Sequence, residues 1–315
     1  MVFVYAVLGL LILLLAGDAL VKGAVNLSLR VGIPALIVSL TIVAFGTSAP
    51  ELLISTQAAL RGAPGIALGN VIGSNTANVL LVLGIPALIT VLHTSAHDTR
   101  KSYLQMIGAT LLFIALALRE TFDWKSGIVL LVVLSYILFD QIRDALAHRR
   151  AGEADAELEE PEGADPDMPW WKIGFFIVLG LIGLPLGADL LVDSATEIAR
   201  MFHVSDEVIG LTLVAVGTSL PELATTVMAA IRRQADVALG NVIGSNMFNL
   251  LAIIGIASMI APMPFDLPEL TFDLGVMLVA SLLLIPFVFL RRDLNKVWGV
   301  LLSALYVGYV ILVLI

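Results

Sequence analysis

Ten long apolar stretches organise the chain, near 2–28, 33–60, 66–91, 101–119, 124–146, 171–199, 204–231, 236–260, 270–290 and 296–314. About 20 apolar residues in a helix cross the roughly 30 Å hydrocarbon core of a bilayer, so each stretch predicts a membrane-spanning helix. Between the fifth and sixth lies an acidic run at 150–169, with Glu153, Asp155, Glu157, Glu159, Glu160, Glu162, Asp165 and Asp167 among Ala, Gly and Pro. Such a run reads as a solvated linker, and it lacks the spacing of a helix-loop-helix calcium site that would make it a regulator. The chain therefore divides into five spans in 1–147, a linker at 148–169 and five spans in 170–315.

Composition agrees with that pattern. Hydrophobic residues make up 59% of the 315 residues and charged ones 14%, with a mean hydropathy of +1.01. Too little polar surface remains for a soluble protein of this length. The first stretch has no basic leading region and is too long for a cleaved signal, so it is expected to stay as a helix. Absence of cysteine excludes disulfides and thiolate metal sites. The net charge of −9 arises largely in the linker and points to neither a nucleic-acid nor an obligate protein partner; the bilayer is the partner implied.

Polar residues inside the apolar stretches fall into two segments that occur twice. Gly46-Thr47-Ser48-Ala49-Pro50-Glu51 returns as Gly217-Thr218-Ser219-Leu220-Pro221-Glu222, and Gly69-Asn70-Val71-Ile72-Gly73-Ser74-Asn75 returns unchanged as Gly240-Asn241-Val242-Ile243-Gly244-Ser245-Asn246. Both pairs share an offset of 171 residues, the signature of a duplicated chain. An odd number of spans per copy turns the second copy upside down, which predicts two inverted repeats of five helices. With the N-terminus outside, the inner loops hold Lys22, Arg30, Arg100, Lys101, Arg143, Arg149, Arg150, Lys172, Arg232, Arg233, Arg291, Arg292 and Lys296, and the outer ones only Arg61, Arg119, Lys125 and Arg200. That asymmetry predicts a plasma-membrane protein with both termini extracellular and the linker cytoplasmic.

A carboxylate within a membrane demands a cation or a proton, so Glu51 and Glu222 are the first candidates. Pro50 and Pro221 have no N–H for the carbonyls of Gly46 and Gly217, and a helix break is expected there. Each break gathers free carbonyls, two hydroxyls (Thr47 and Ser48, Thr218 and Ser219) and a carboxylate. In the second motif Ser74 and Asn78 share a helical face, as do Ser245 and Asn249. The glycines of that motif predict close helix packing, which would bring those faces to the breaks. Hard oxygens of this kind select Ca2+, Na+ or Mg2+.

Together the paired motifs, at roughly 39–84 and 210–255, resemble the sodium/calcium exchanger family of the cation/calcium antiporter superfamily, in its compact prokaryotic form. The resemblance implies a Na+/Ca2+ antiporter of alternating access, with probably none of the large regulatory domains of animal members and with the first and sixth helices sliding against a fixed bundle. It implies Ca2+ binding by Glu51 and Glu222 with the backbone carbonyls of Thr47 and Thr218. Sodium would use Ala44, Thr47, Ser48, Glu51, Ser74, Ala215, Thr218, Ser219, Glu222 and Ser245, and Asn78 and Asn249 would complete a central position. Some relatives, including the potassium-dependent branch, carry aspartate where this chain has Asn249, which argues against K+ cotransport. Three Na+ for one Ca2+ would move net charge. A Ca2+/H+ antiporter is the alternative, since paired carboxylates also carry protons; a passive channel is a more distant one.

Other features take plainer readings. Gly46-Thr47-Ser48-Ala49-Pro50 lacks the closing glycine of a nucleophile elbow, so no enzyme and no cofactor is expected. His93, His97, His148 and His203 are expected in solvated loops, and Trp124, Trp170, Trp171 and Trp298 at span ends as interfacial anchors. Asp18 and Asp189, matched by the same offset, are expected as anchors at helix ends, or else in gating or ion entry.

Overall fold

Where an apolar run has no internal breaker, it forms a single long helix. The computed structural model describes residues 1–96, 98–151, 165, 167–202 and 215–314. Helix α1 spans Val2–Val31 and closes on Gly32, whose left-handed φ of 71° lets its N–H turn back to the carbonyls of Ser28 and Leu29. A bent pair follows, α2 (Ala35–Thr47) and α3 (Ala49–Leu60), then α4 (Pro64–Ile89). Helices α5 (Arg100–Ala117) and α6 (Trp124–Ala151) complete the first half.

The second half runs in the same order. Helix α7 covers Trp170–Met201, a short turn covers Ala215–Gly217, and α8 covers Leu220–Ile231. Helices α9 (Ala235–Ile260), α10 (Leu267–Leu282) and α11 (Lys296–Leu314) follow. Helices α3 and α8 are both 12 residues long, and Glu51 and Glu222 hold the same place in each.

Among the described residues seven helices are long and apolar enough to cross a membrane, or eight if the bent pair is one span. The chain is thus a helical polytopic membrane protein. Of the ten stretches expected, 101–119 is α5, which falls outside those seven, and 204–231 is described only from residue 215. The acidic run from 152 to 164 lies outside the described residues, as do His97 and His203.

Helices α4 and α9 form the centre. Their apolar windows are 72% and 83% buried, against 17–39% for the other five long helices. Gly240 and Gly244 let α9 press onto α2: a Cβ at Gly240 would stand 2.9 Å from the Leu36 carbonyl oxygen, and one at Gly244 only 2.5 Å from that of Leu40. This is the close packing expected of the motif. The same contacts for Gly69 and Gly73 would fall on 207–211, outside the described residues.

Helices α1 and α7 pack against each other along their length at the side of this centre. Their glycines set the spacing, since a Cβ at Gly180 or Gly187 would collide with the backbone of Leu20 or Leu13. Two short backbone ties join the halves. Strand β1 (Thr121–Phe122) pairs antiparallel with β2 (Met263–Pro264), and Leu92 bridges Leu294 in the same sense. Offset by about 171 residues, the second tie is the image of the first. Trp124, Trp170 and Trp298 lie at or near helix starts.

Candidate functional site

At both breaks the sequence leads to the same local structure. The first helix of the pair stops at Thr47, and α3 restarts at Ala49 after a bend of 46°. Ser48 holds φ −82° and ψ 6° there, and Ser219 holds φ −87° and ψ 4° before α8. Pro50 and Pro221 follow inside the first turn, where a missing N–H costs nothing to the helix that begins. The carbonyls four residues back receive no donor from them. Glu51 and Glu222 therefore sit one residue later, in the first turn of a new helix, where the helix dipole favours negative charge.

A serine at a helix start ordinarily accepts a hydrogen bond from the first turn. Neither Ser48 nor Ser219 does so. Instead the Ser48 hydroxyl crosses to the other half and donates to Glu222 Oε1 at 3.1 Å, and Ser245 lies 3.4 Å from the same oxygen. Each hydroxyl is directed at the carboxylate rather than at its own helix.

Both carboxylates are fully buried. They are near enough for their charges to act on one another. No lysine or arginine partners either one among the described residues. Both oxygens of Glu51 lack a hydrogen-bond partner, as does Oε2 of Glu222. So do Ser74 Oγ, Ser219 Oγ, Asn78 Oδ1 and both amide atoms of Asn249. Buried polar atoms are nearly always satisfied, so such a concentration marks a place built for something that is not protein. Among the described residues no group of three or more His, Cys, Asp and Glu could hold a metal. Any cation here depends on two carboxylates supplemented by neutral oxygens.

Every sequence-derived candidate with a described side chain is buried, Thr218 being the most exposed at 8%. Thr47 Oγ1 is already engaged by the Ala44 carbonyl at 3.3 Å, Asn241 Oδ1 at 3.2 Å and Ser245 at 3.4 Å. What Thr47 has left to offer is its carbonyl. Ala44 precedes the break, and Ala215 opens the short turn before Thr218. Asn78 begins a π-helical turn (Asn78–Val82) and Asn249 lies in another (Phe248–Ile253), wider turns that disturb the regular backbone ladder and recur at functional sites.

Two asparagines that the sequence reading passed over hold these parts in place. Asn70 Nδ2 donates to the Glu51 carbonyl at 3.4 Å and to Ser55 Oγ at 3.0 Å. Asn241 Nδ2 does the same to the Glu222 carbonyl at 3.4 Å and Thr226 Oγ1 at 3.1 Å. The signal was present in the letter-for-letter repeat of the G-N-V-I-G-S-N motif. Asn246, from the same motif, accepts from Asn78 Nδ2 at 3.1 Å.

Asp18 and Asp189 do not lie at helix ends, where they were expected as anchors. Both stand well inside α1 and α7. Asp18 forms an ion pair with Arg232 across the two halves. Among the histidines, His93 pairs with Asp293 at 3.0 Å.

Comparison with known proteins gives a consistent picture. The family model described as "sodium/calcium exchanger protein" matches residues 1–142 and 172–315. A "putative antiporter CaxA" of Alkalimonas amylolytica is 37% identical over 97% of this chain and 96% of its own length. The "sodium/calcium exchanger MaX1" of Methanosarcina acetivorans is 31% identical over 98% of this chain and 97% of that protein. Among solved structures, the sodium-calcium exchanger NCX_Mj soaked with 10 mM Na+ and zero Ca2+ superposes with a TM-score of 0.79, at 33% identity and 98% coverage of both chains.

Proposed function

The chain belongs to the sodium/calcium exchanger family, and from that premise we propose that it exchanges Na+ for Ca2+ across the plasma membrane by alternating access. The observation that carries this reading is the set of unsatisfied buried oxygens contributed by both halves around Glu51 and Glu222. Two carboxylates neutralise one Ca2+, and carbonyls and hydroxyls at the breaks fill the remaining coordination, which for Ca2+ is about 6–8 oxygens. Glu51 and Glu222 with the carbonyls of Thr47 and Thr218 form the Ca2+ position in this proposal. Sodium takes the same carboxylates with Ala44, Thr47, Ser48, Ser74, Asn78, Ala215, Thr218, Ser219, Ser245 and Asn249. Three Na+ exchange for one Ca2+, so each cycle moves one net charge. Asn249 is an amide and not a carboxylate, which favours independence from K+.

The frame of the proposal is ten spans in two inverted repeats, both termini outside and 148–169 in the cytoplasm. Support comes from the equivalent placement of α3 and α8 and from the two matched backbone ties. Coupling follows from burial. An occluded site with two bare carboxylates is costly, so the empty carrier crosses rarely and flux in one direction requires flux in the other.

Proteoliposomes test this directly. At fixed pH, an outward Na+ gradient should drive radioactive Ca2+ uptake, with or without K+, and a membrane potential should change its rate. Uptake driven by a pH gradient alone would assign the chain to Ca2+/H+ exchange instead. Uptake with no opposing gradient and no exchangeable ion inside would make it a channel.

A further inference from the structure

Offsetting the structure against itself by 171 residues exposes an ion pair made in one half only. On α1, Asp18 bonds Arg232, the residue that ends α8; their side chains are 30% and 20% exposed. The equivalents are Asp189 on α7 and Arg61, which ends α3 in the same way. Both of these are exposed, and no ion pair joins them among the described residues.

Packing around the two pairs differs in the same direction. Helix α1 lies along α8, close enough that a Cβ at Gly17 would stand 3.0 Å from the Ala224 carbonyl, and Ala224 is only 6% exposed. Helix α7 makes no comparable contact with α3, where the equivalent of Ala224 is Leu53, 60% exposed. The site follows the same rule. Glu222, on the helix that α1 holds, is clasped by Ser48 and Ser245, whereas Glu51, on the helix that α7 leaves free, is not clasped by their counterparts Ser219 and Ser74.

We propose that Asp18 with Arg232, and Asp189 with Arg61, are two alternative latches, one engaged in each of two conformations. The ion pair passes from one half to the other each time the transporter turns over. This deepens the exchange reading above and rests on it. Both arginines end the short helices whose first turns carry the glutamates, so engaging a latch holds a long helix against the very helix that presents a carboxylate. Charge chemistry suits the task. A partly exposed ion pair contributes little on balance, so it forms and breaks readily while still biasing two nearly balanced states.

The chain has no cysteine, which makes the test clean. One variant carries Asp18→Cys with Arg232→Cys and a second carries Arg61→Cys with Asp189→Cys, each treated with a short, reducible bifunctional thiol reagent. The reagent is needed because a direct disulfide requires Cα atoms within about 7 Å. Linking is read on gels in saturating Na+, in saturating Ca2+ and without either ion, and Ca2+ flux is read separately in proteoliposomes. The two pairs should link under opposite ion conditions, and each link should arrest exchange until it is reduced. Asp189→Asn, placed in the Asp18/Arg232 cysteine background, should raise that pair's linked fraction about 2- to 5-fold, since it weakens only the opposing state. An Asp189 without a latch role would leave that ratio unmoved.

The proposal is overturned if the Arg61/Asp189 pair links under no ion condition while exchange proceeds, or if both pairs link in a four-cysteine chain at once. Should linking switch as described in a chain that exchanges no Na+ for Ca2+, the latches stand and the assigned function fails.

Discussion

Glu222 and Glu51 occupy equivalent places in the sequence and unequal places in the structure. Glu222 accepts hydrogen bonds from Ser48 and Ser245, while both oxygens of Glu51 go unmatched and its counterpart donors, Ser219 and Ser74, have no partner either. Asn78 is likewise tied to Asn246, yet neither amide atom of Asn249 is tied to anything. Two copies of one sequence have settled into two arrangements. The lesson is that the site is a single object shared across the halves, since each clasp on Glu222 is completed by a donor that the duplication also supplied to Glu51.

If the difference belongs to one conformation and not to unequal roles, the largest effects must be symmetric. Glu51→Gln and Glu222→Gln should each reduce Ca2+ flux in proteoliposomes to background, because either one removes half the charge that balances the ion. Normal exchange by Glu222→Gln would break the comparison outright. A second effect is thermodynamic. Ca2+ at 100 times its dissociation constant should stabilise the purified protein by about 2.7 kcal/mol, seen as a rise in its unfolding temperature, and Glu51→Gln should abolish that rise.

Serine substitutions sharpen the contrast at a smaller scale. In ion-free protein, Ser48→Ala removes a formed hydrogen bond to a buried carboxylate and should cost about 1.5–3 kcal/mol. Ser219→Ala removes a hydroxyl that bonds nothing and should be close to neutral. Both should nevertheless weaken Na+ activation of exchange to similar degrees. Thermal unfolding without ions, set beside Na+ titrations, separates the two outcomes.

The smallest expected effect lies at the outer helices, where the halves differ by a charge. Asp123 Oδ1 accepts from the Lys125 and Ser126 amides at the start of α6, and Asn295 Oδ1 accepts from Val297 and Trp298 at the start of α11. The Ser126 amide bond, with help from Arg119, holds the Asp123 carboxyl down to about 2. A carboxyl whose pKa is lower in the folded state stabilises above its unfolded pKa of about 4 and loses that contribution as pH falls through about 2. Acid should therefore loosen the start of α6 before that of α11, measured by amide exchange of Lys125 and Ser126 against Val297 and Trp298. Asp123→Asn should remove the difference.

Much of this was legible in the letters. A carboxylate after a proline in an apolar run has few uses, and its exact recurrence with Ser and Asn at helical spacing pointed to an ion site before any coordinates. Helix existence was legible for the same reason, since hydrophobic length sets a span. Asn70 and Asn241 escaped because an amide bracing a carbonyl 19 residues away leaves no periodic trace. Asp18 escaped too. Its partner is 214 residues distant, and nothing in the sequence of α1 distinguishes a latch from an anchor.

The sequence by itself determined what the two halves contain: the matched breaks, the carboxylates, the hydroxyls and the arginines at the ends of the short helices. It determined no more than that because duplication writes every contact twice, with equal claim. Tertiary structure decided which copy of each contact is made. Packing α1 against α8 closes one latch and one clasp, and the same α1 and α7 pair leaves α3 without an equivalent neighbour. A sequence fixes the pair of arrangements open to it, and only the packing of its helices selects one.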